Sequence, residues 1–144
     1  MKHAAKALVR DEQGRILVLY RSETHPHLAH DIDLPGGEIE HGELAEVGLS
    51  REIIEETGLN IVATSEDLVH SWRSVFGSTH MLYEVALSDE SPVQISWEHE
   101  SYAWMSAEEF ANHAAVDEFM HRVQEWLGLQ ESSSYEQVFA QDML

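Results

Sequence analysis

The stretch that most narrows what this chain can become runs from Gly36 to Asn60, GGEIEHGELAEVGLSREIIEETGLN. It sets Glu38, Glu40, Glu43, Glu46, Glu52, Glu55 and Glu56 against a single arginine, Arg51. Apolar residues at helical spacing predict a helix over residues 43–57, with Gly42 permissive at its start. Gly58 supplies a left-handed stop after Thr57, and Leu59 can pack back onto the last turn. On a wheel at about 100° per residue, Glu52, Glu55 and Glu56 fall within an arc of roughly 100°. Each like-charged pair three or four positions apart costs up to about half a kcal/mol. Something has to offset that repulsion.

The same wheel places Leu44, Val47 and Ile54 on one apolar flank and Leu49 and Ile53 on another. The expectation is an acidic stripe between two buried flanks. Gly48 lies on the stripe, four residues before Glu52. A glycine there costs about 1 kcal/mol relative to alanine, which suits a place where something approaches the backbone. Paired glutamates on a helix are ordinarily just solvated. A solvated face, however, needs neither buried flanks nor Gly36-Gly37, Glu43, Arg51 and Gly58 in register. A hard divalent cation does need clustered carboxylate oxygens, and it cancels their repulsion.

Composition narrows the classes further. A chain of 144 residues with 43% hydrophobic and 24% charged residues can enclose one real core. With no cysteine, disulfides, thiolate zinc sites and cysteine nucleophiles are excluded, and a cytoplasmic setting fits. The N-terminal MKHAAKALVRDEQGR has no apolar core of signal-peptide length, and no run approaches a membrane span. The formal net charge of −19 opposes docking on DNA, RNA or an anionic membrane. It suits solubility and the gathering of divalent cations, which could in turn bridge a small anionic substrate to the carboxylates.

Along the chain, strands and helices alternate. KHAAKALVR and RILVLYR read as a hairpin around the turn DEQG, and SETHPHLAHDID as a polar loop. LPGG is a strand end entering a glycine turn. LNIVATSEDLVHSWRSVF and HMLYEVAL read as strands with Gly77 at the turn between them, and ESYAWM as a final short strand. SAEEFANHAAVDEFMHRVQEWLGL closes the domain as one or two helices, with Ser106 and Glu109 spaced as a capping box. Residues 1–130 read as one domain, and residues 131–144 as a tail, flexible or docking.

These residues resemble a known family. From Gly37, five residues lead to Glu43 and seven more to Arg51-Glu52. Ile53, Glu55-Glu56, Thr57, Gly58 and Leu59 complete a pattern that matches the Nudix box of the Nudix (MutT-like) hydrolases at every defining position. LPGGEIEHGE resembles the usual lead-in, and WEHESYAWMSAEEF the later segment of such proteins, so the likeness covers about residues 3–127. It implies an α/β fold, the α/β/α sandwich around a mixed sheet. It also implies hydrolysis of a nucleoside diphosphate linked to another group, X, by water attacking phosphorus.

On that resemblance Glu52, Glu55 and Glu56 hold Mg2+ or Mn2+, with the Gly37 carbonyl and Glu98 as further ligands. The general base is Glu52, Glu55 or Glu98. Arg51 orients the glutamates, and Glu43 is an outer ligand or the partner of Arg51. Gly36, Gly37, His99, Trp72 and Phe76 are the candidate substrate contacts, the two aromatics by stacking on a base. Trp104 reads as core. His25, His27 and His30 match no metal-site spacing and read as surface histidines bordering the substrate loop.

The substrate is less constrained. No proline occurs between Pro35 and Pro92 to match the ADP-ribose marker, and the NADH and coenzyme A signatures are missing. A nucleoside triphosphate or related nucleotide is the first choice, with nucleotide sugars, ADP-ribose and dinucleoside polyphosphates left open, as is a homodimer. Two other classes compete: a catalytically silent nucleotide sensor, and a structural protein whose acidic face recruits Mg2+ or a basic partner. Turnover of a nucleotide panel separates all three.

Overall fold

In the computed structural model the backbone is described for residues 2–89 and 91–142, and side chains as far as residue 130. Among these residues seven strands form one mixed sheet: β1 (His3–Arg10), β2 (Ile16–Arg21), β3 (Ile32–Asp33), β4 (Gly36–Ile39), β5 (Leu68–Arg73), β6 (Thr79–Ala86) and β7 (His99–Met105). The central path runs β3-β2-β1-β6-β5, with β4 paired to β1 and β7 to β2. β1 and β6 run parallel, and the other pairs antiparallel. The helices are α1 (Ala45–Thr57), α2 (Ala107–Ala111) and α3 (Glu118–Asp142).

Period-two alternation in β1 and β2 builds the layers. Ala5, Ala7, Val9, Leu17 and Leu19 pack with Leu49 and Ile53 of α1 on one side of the sheet. Leu8, Ile16 and Val18 pack with Phe110 of α2 and Met120, Val123 and Leu127 of α3 on the other. The result is the expected α/β/α sandwich. Leu49 and Ile53 are fully buried, each contributing about 1.5–3 kcal/mol.

The helix within the box begins two residues later than expected and ends at Thr57, where Gly58 adopts φ +72° and its N–H donates to the Ile54 carbonyl. The Ser106–Glu109 capping box forms as anticipated. Two expectations need correction. Only Leu68–Arg73 of the segment from Leu59 to Phe76 is a strand. Leu59, Ile61 and Ala63 do alternate into the core, but the Ala63 N–H donates to the Ser50 side chain on α1 (2.9 Å) rather than to a neighbouring strand. Strand-like burial here comes without a ladder.

The second correction concerns α1. Leu44, Val47 and Ile54 are exposed, Leu44 by 72%, because the sheet covers only one side of the helix. The acidic stripe therefore lies on the border between core and solvent, not between two buried flanks. For residues 131–144, the helical backbone continues to Asp142, while their side chains and the last two residues lie outside the described residues. The tail expected there, flexible or docking, rests on side chains outside the described residues.

Candidate active site

Strand register assembles the site. β4 pairs with β1 so that Gly36 lies opposite Lys6 and Gly37 opposite Ala5. Gly36 has φ +134°, and a Cβ there would sit 2.1 Å from the Ala5 carbonyl oxygen, so only glycine fits. This tight pairing carries the Gly36-Gly37 backbone past the acidic stripe of α1. The Gly36 N–H donates to Oε2 of Glu56 (3.2 Å), and the Glu52 carboxylate lies beside Gly37.

Burial of the three glutamates follows the helical wheel. Glu56, next to the apolar flank, is 4% exposed. Glu52 has 20% of its side chain exposed, and Glu55, on the solvent side, 57%. Burial pushes the Glu56 carboxyl well above its ordinary value; nearby Lys6 opposes that shift, and Asp33 and Glu52 add to it.

Arg51 ties the stripe together. Its Nε and Nη2 donate to the two oxygens of Glu43 (3.2 and 3.1 Å), and its Nη1 donates to Glu52 (3.1 Å) and Glu55 (3.5 Å). These bonds hold the Glu43 carboxyl below its usual range. What approaches the Gly48 backbone is Glu43 itself, whose Oε1 would lie 2.6 Å from a Cβ at that position.

The carboxylates open into a cleft of about 640 Å³. Gly36, Gly37, Glu52, Glu56 and Glu98 line it, and the loop after β2 contributes His25 and His27. A smaller hollow of about 300 Å³, lined by Asp11, Arg15, Asp89 and Trp104 among others, shares no residue with it. Glu55 is joined to the cleft residues through Arg51. His99 lies beneath the surface, bonded through Nε2 to Oδ2 of Asp33 (3.0 Å).

Trp72 and Phe76 do not line this cleft. Trp72 packs against Phe119, ring centroids 4.7 Å apart, and the Arg122 guanidinium lies over the Trp72 ring, 5.8 Å from its centroid. Phe76 is 90% exposed at the β5–β6 turn. Trp104 is half-buried against the α1 side of the core. His30 is exposed and paired with Glu100 (2.8 Å).

Sequence reasoning missed a buried ion network at the base of the cleft. Lys6 Nζ donates to Oδ1 of Asp33 (2.6 Å), and Arg21 Nη2 donates to the same oxygen (3.3 Å) and to Asp117. Burial alone would raise the Asp33 carboxyl, but Lys6, His99 and Arg21 together hold it far below the ordinary range. The only available signal was Lys6 interrupting the apolar alternation of β1. The partners of Lys6 come from 27 and 50 residues away, at Asp33 and Glu56.

The donor set in this cleft suits Mg2+ or Mn2+. Glu52, Glu56 and Glu98 offer carboxylate oxygens, Gly37 offers a carbonyl, and no thiolate competes. Glu56, buried with its charge disfavoured, is a group that a bound cation would relieve.

Comparison with known proteins agrees with this architecture. The family model described as NUDIX domain matches residues 2–127. An Escherichia coli protein described as 8-oxo-dGTP diphosphatase is 36% identical over 55 residues, 38% of this chain; the match spans 42% of that relative's length. A MutT protein structure from Methanosarcina mazei superposes with TM-score 0.77 at 26% identity, covering 90% of this chain and 94% of that one. A MutT structure from work on Aliivibrio salmonicida and Vibrio cholerae shares the fold at TM-score 0.71 and 18% identity, covering 90% and 98%. The matched model spans nearly the whole described domain, and the glycine pair, the arginine clamp and the graded glutamates all fall inside it: the chain belongs to the NUDIX domain family.

Proposed function

We propose that this chain is a metal-dependent pyrophosphohydrolase acting on a nucleoside diphosphate linked to another group, with a nucleoside triphosphate or related nucleotide as first choice. The observation that carries the reading is the convergence of Glu52, Glu56 and the Gly36-Gly37 backbone on one cleft. The description of the E. coli relative as an 8-oxo-dGTP diphosphatase supports a triphosphate over a nucleotide sugar.

Glu52, Glu56, Glu98 and the Gly37 carbonyl would hold Mg2+ or Mn2+, with the more exposed Glu55, tied to Glu52 through Arg51, as a further ligand. The bound ion supplies charge neutralisation at phosphorus and a more acidic water. Arg51 holds Glu52 and Glu55 in position from behind and is not itself turned to substrate. Glu52, Glu55 or Glu98 takes the proton from the attacking water. His25 and His27 border the space left for the rest of the nucleotide. Among the described residues no helix is long and apolar enough to cross a membrane, and a cytoplasmic setting fits a chain without cysteine.

The test is a panel of nucleoside triphosphates, nucleotide sugars, ADP-ribose and dinucleoside polyphosphates with Mg2+, read by phosphate products. Turnover of at least one member, abolished by chelation and reduced about 10²–10⁴-fold in Glu52→Gln, supports the reading. Binding of a member without turnover would favour a nucleotide sensor instead.

A further inference from the structure

The geometry points to a second cation site on the wall of the cleft, formed by His25, Asp33 and His99 and suited to a nitrogen-preferring divalent ion such as Zn2+, Co2+ or Ni2+. One donor atom from each of the three lies within 4.8 Å of the others. His99 Nε2 and Asp33 Oδ2 are 3.0 Å apart, a separation that fits two donors on one ion held at about 2.0–2.2 Å. The two imidazoles have centroids 5.8 Å apart and planes at 55°, so neither ring stacks over the other's nitrogens.

Three separate elements converge here, and the backbone explains how. The loop after β2 is drawn to the start of β7 by the Ser22 N–H donating to the Glu98 carbonyl (2.8 Å). That bond brings His25 close to His99, and β3 pairs with β2 to place Asp33 beside both.

The two oxygens of Asp33 have different duties. Oδ1 accepts from Lys6, Arg21 and the Leu34 N–H. Oδ2 meets only His99 among the described residues. An ion on Oδ2 therefore leaves the orienting bonds on Oδ1 intact, as hydrogen-bonded outer partners do for a ligating carboxylate. The His99 side chain is completely buried and meets Asp33 through Nε2, the nitrogen that would face the ion. Glu98 Oε2 lies 3.8 Å from His25 Nε2, so the carboxylate assigned above to the Mg2+ set also borders this site.

The nearby cations do not forbid the site. Lys6 and Arg21 pair with Asp33 and Asp117, and Glu98 lies beside His25, so these five groups are net negative before Glu52 and Glu56 are counted. Donor chemistry then separates the two sites. The all-oxygen set on α1 suits Mg2+, whereas two imidazoles and a carboxylate suit Zn2+, Co2+ or Ni2+. An ion held here would face the same cleft as the glutamates, so Zn2+ is expected to inhibit Mg2+-supported turnover. The site itself does not depend on that turnover.

The experiment titrates the metal-free full chain with Zn2+ by calorimetry and with Co2+ by visible absorption, in the absence of nucleotide. His25 is the residue to remove, because its loop position spares the core that Asp33 and His99 support. The expected result is one tight Zn2+ equivalent, weakened about tenfold or more in His25→Ala and retained in a Glu52→Gln/Glu55→Gln double variant. Cobalt absorption typical of imidazole ligation should follow the same pattern. No Zn2+ uptake, an affinity unchanged in His25→Ala, or binding lost in the glutamate variant would each overturn the site.

Discussion

Arg51 and Glu43 form a two-pronged pair across one face of α1 and the turn before it, Nε to Oε2 at 3.2 Å and Nη2 to Oε1 at 3.1 Å. The fork fixes the guanidinium plane, and its remaining nitrogen, Nη1, is thereby aimed at Glu52 and Glu55. Lysine keeps the charge but cannot reproduce this geometry. Arg51→Lys is expected to lower both Mn2+ affinity and kcat by about 10–100-fold, the usual cost of losing a group that orients metal ligands. Because the pair is at the surface, thermal stability should change little. Equal kcat in the two proteins, measured at saturating metal, would show that the clamp has no such role.

Gly36 and Gly37 are adjacent but differ in what an added methyl meets. At Gly36 it meets the Ala5 carbonyl oxygen at 2.1 Å, in a backbone conformation that L-residues avoid. At Gly37 the nearest atom is Glu52 Cδ at 3.6 Å, an ordinary contact. Gly36→Ala should therefore cost about 2–4 kcal/mol of stability, read from urea denaturation. Gly37→Ala should fold within about 1 kcal/mol of the parent and lose activity instead. Equal stability losses in both would contradict this division.

The box and the fold class were legible because they rest on local rules. A wheel, a cap and a fixed spacing placed Glu52, Glu55, Glu56, Gly58 and Arg51 on one short helix. The same wheel could not say which apolar flank faced the sheet, since Leu44, Val47 and Ile54 look as apolar as Leu49 and Ile53. Once the sheet is known to cover one side only, the burial order Glu56, Glu52, Glu55 follows directly. The network of Lys6, Arg21, Asp33, Asp117 and His99 was not legible. Each partner is ordinary in its own segment, and only the pairing of β2 with β1, β3 and β7, with the segment before α3 alongside, brings them together. Trp72 and Phe76 misled for a related reason, because aromatic content says nothing about which side of the sheet a base could reach.

Asp33 makes the acid limb of stability predictable. Its folded carboxyl lies far below the unfolded value of about 3.9, so the folded state gives up this proton more readily than the unfolded chain. The corresponding stability is fully present above about pH 4–5 and is lost as pH falls below it. Asp33→Asn removes the partner of a buried lysine and should cost about 3–5 kcal/mol at neutral pH. It should also flatten the decline in stability between about pH 5 and pH 2. A wild-type acid transition reproduced in Asp33→Asn would assign it to other carboxylates.

Glu56 carries the opposite sign, and metal should reverse it. Burial raises its carboxyl, so the metal-free folded state holds this proton more tightly than the unfolded chain does. The stability it contributes is present at low pH and lost as pH rises through the folded value. Glu56→Gln mimics the protonated form in shape and keeps an amide oxygen to accept from the Gly36 N–H. Without metal at pH 8, the variant should therefore melt at the same temperature as the parent or higher. Adding Mg2+ at about 100 times its Kd should stabilise the parent by about 2.7 kcal/mol, a rise of several degrees in a domain of this size. The variant should gain much less, because a neutral amide replaces the most buried charged oxygen of the set. If both proteins gain equally from Mg2+, the ion is held by the outer glutamates alone and Glu56 is a structural acid under the glycine pair.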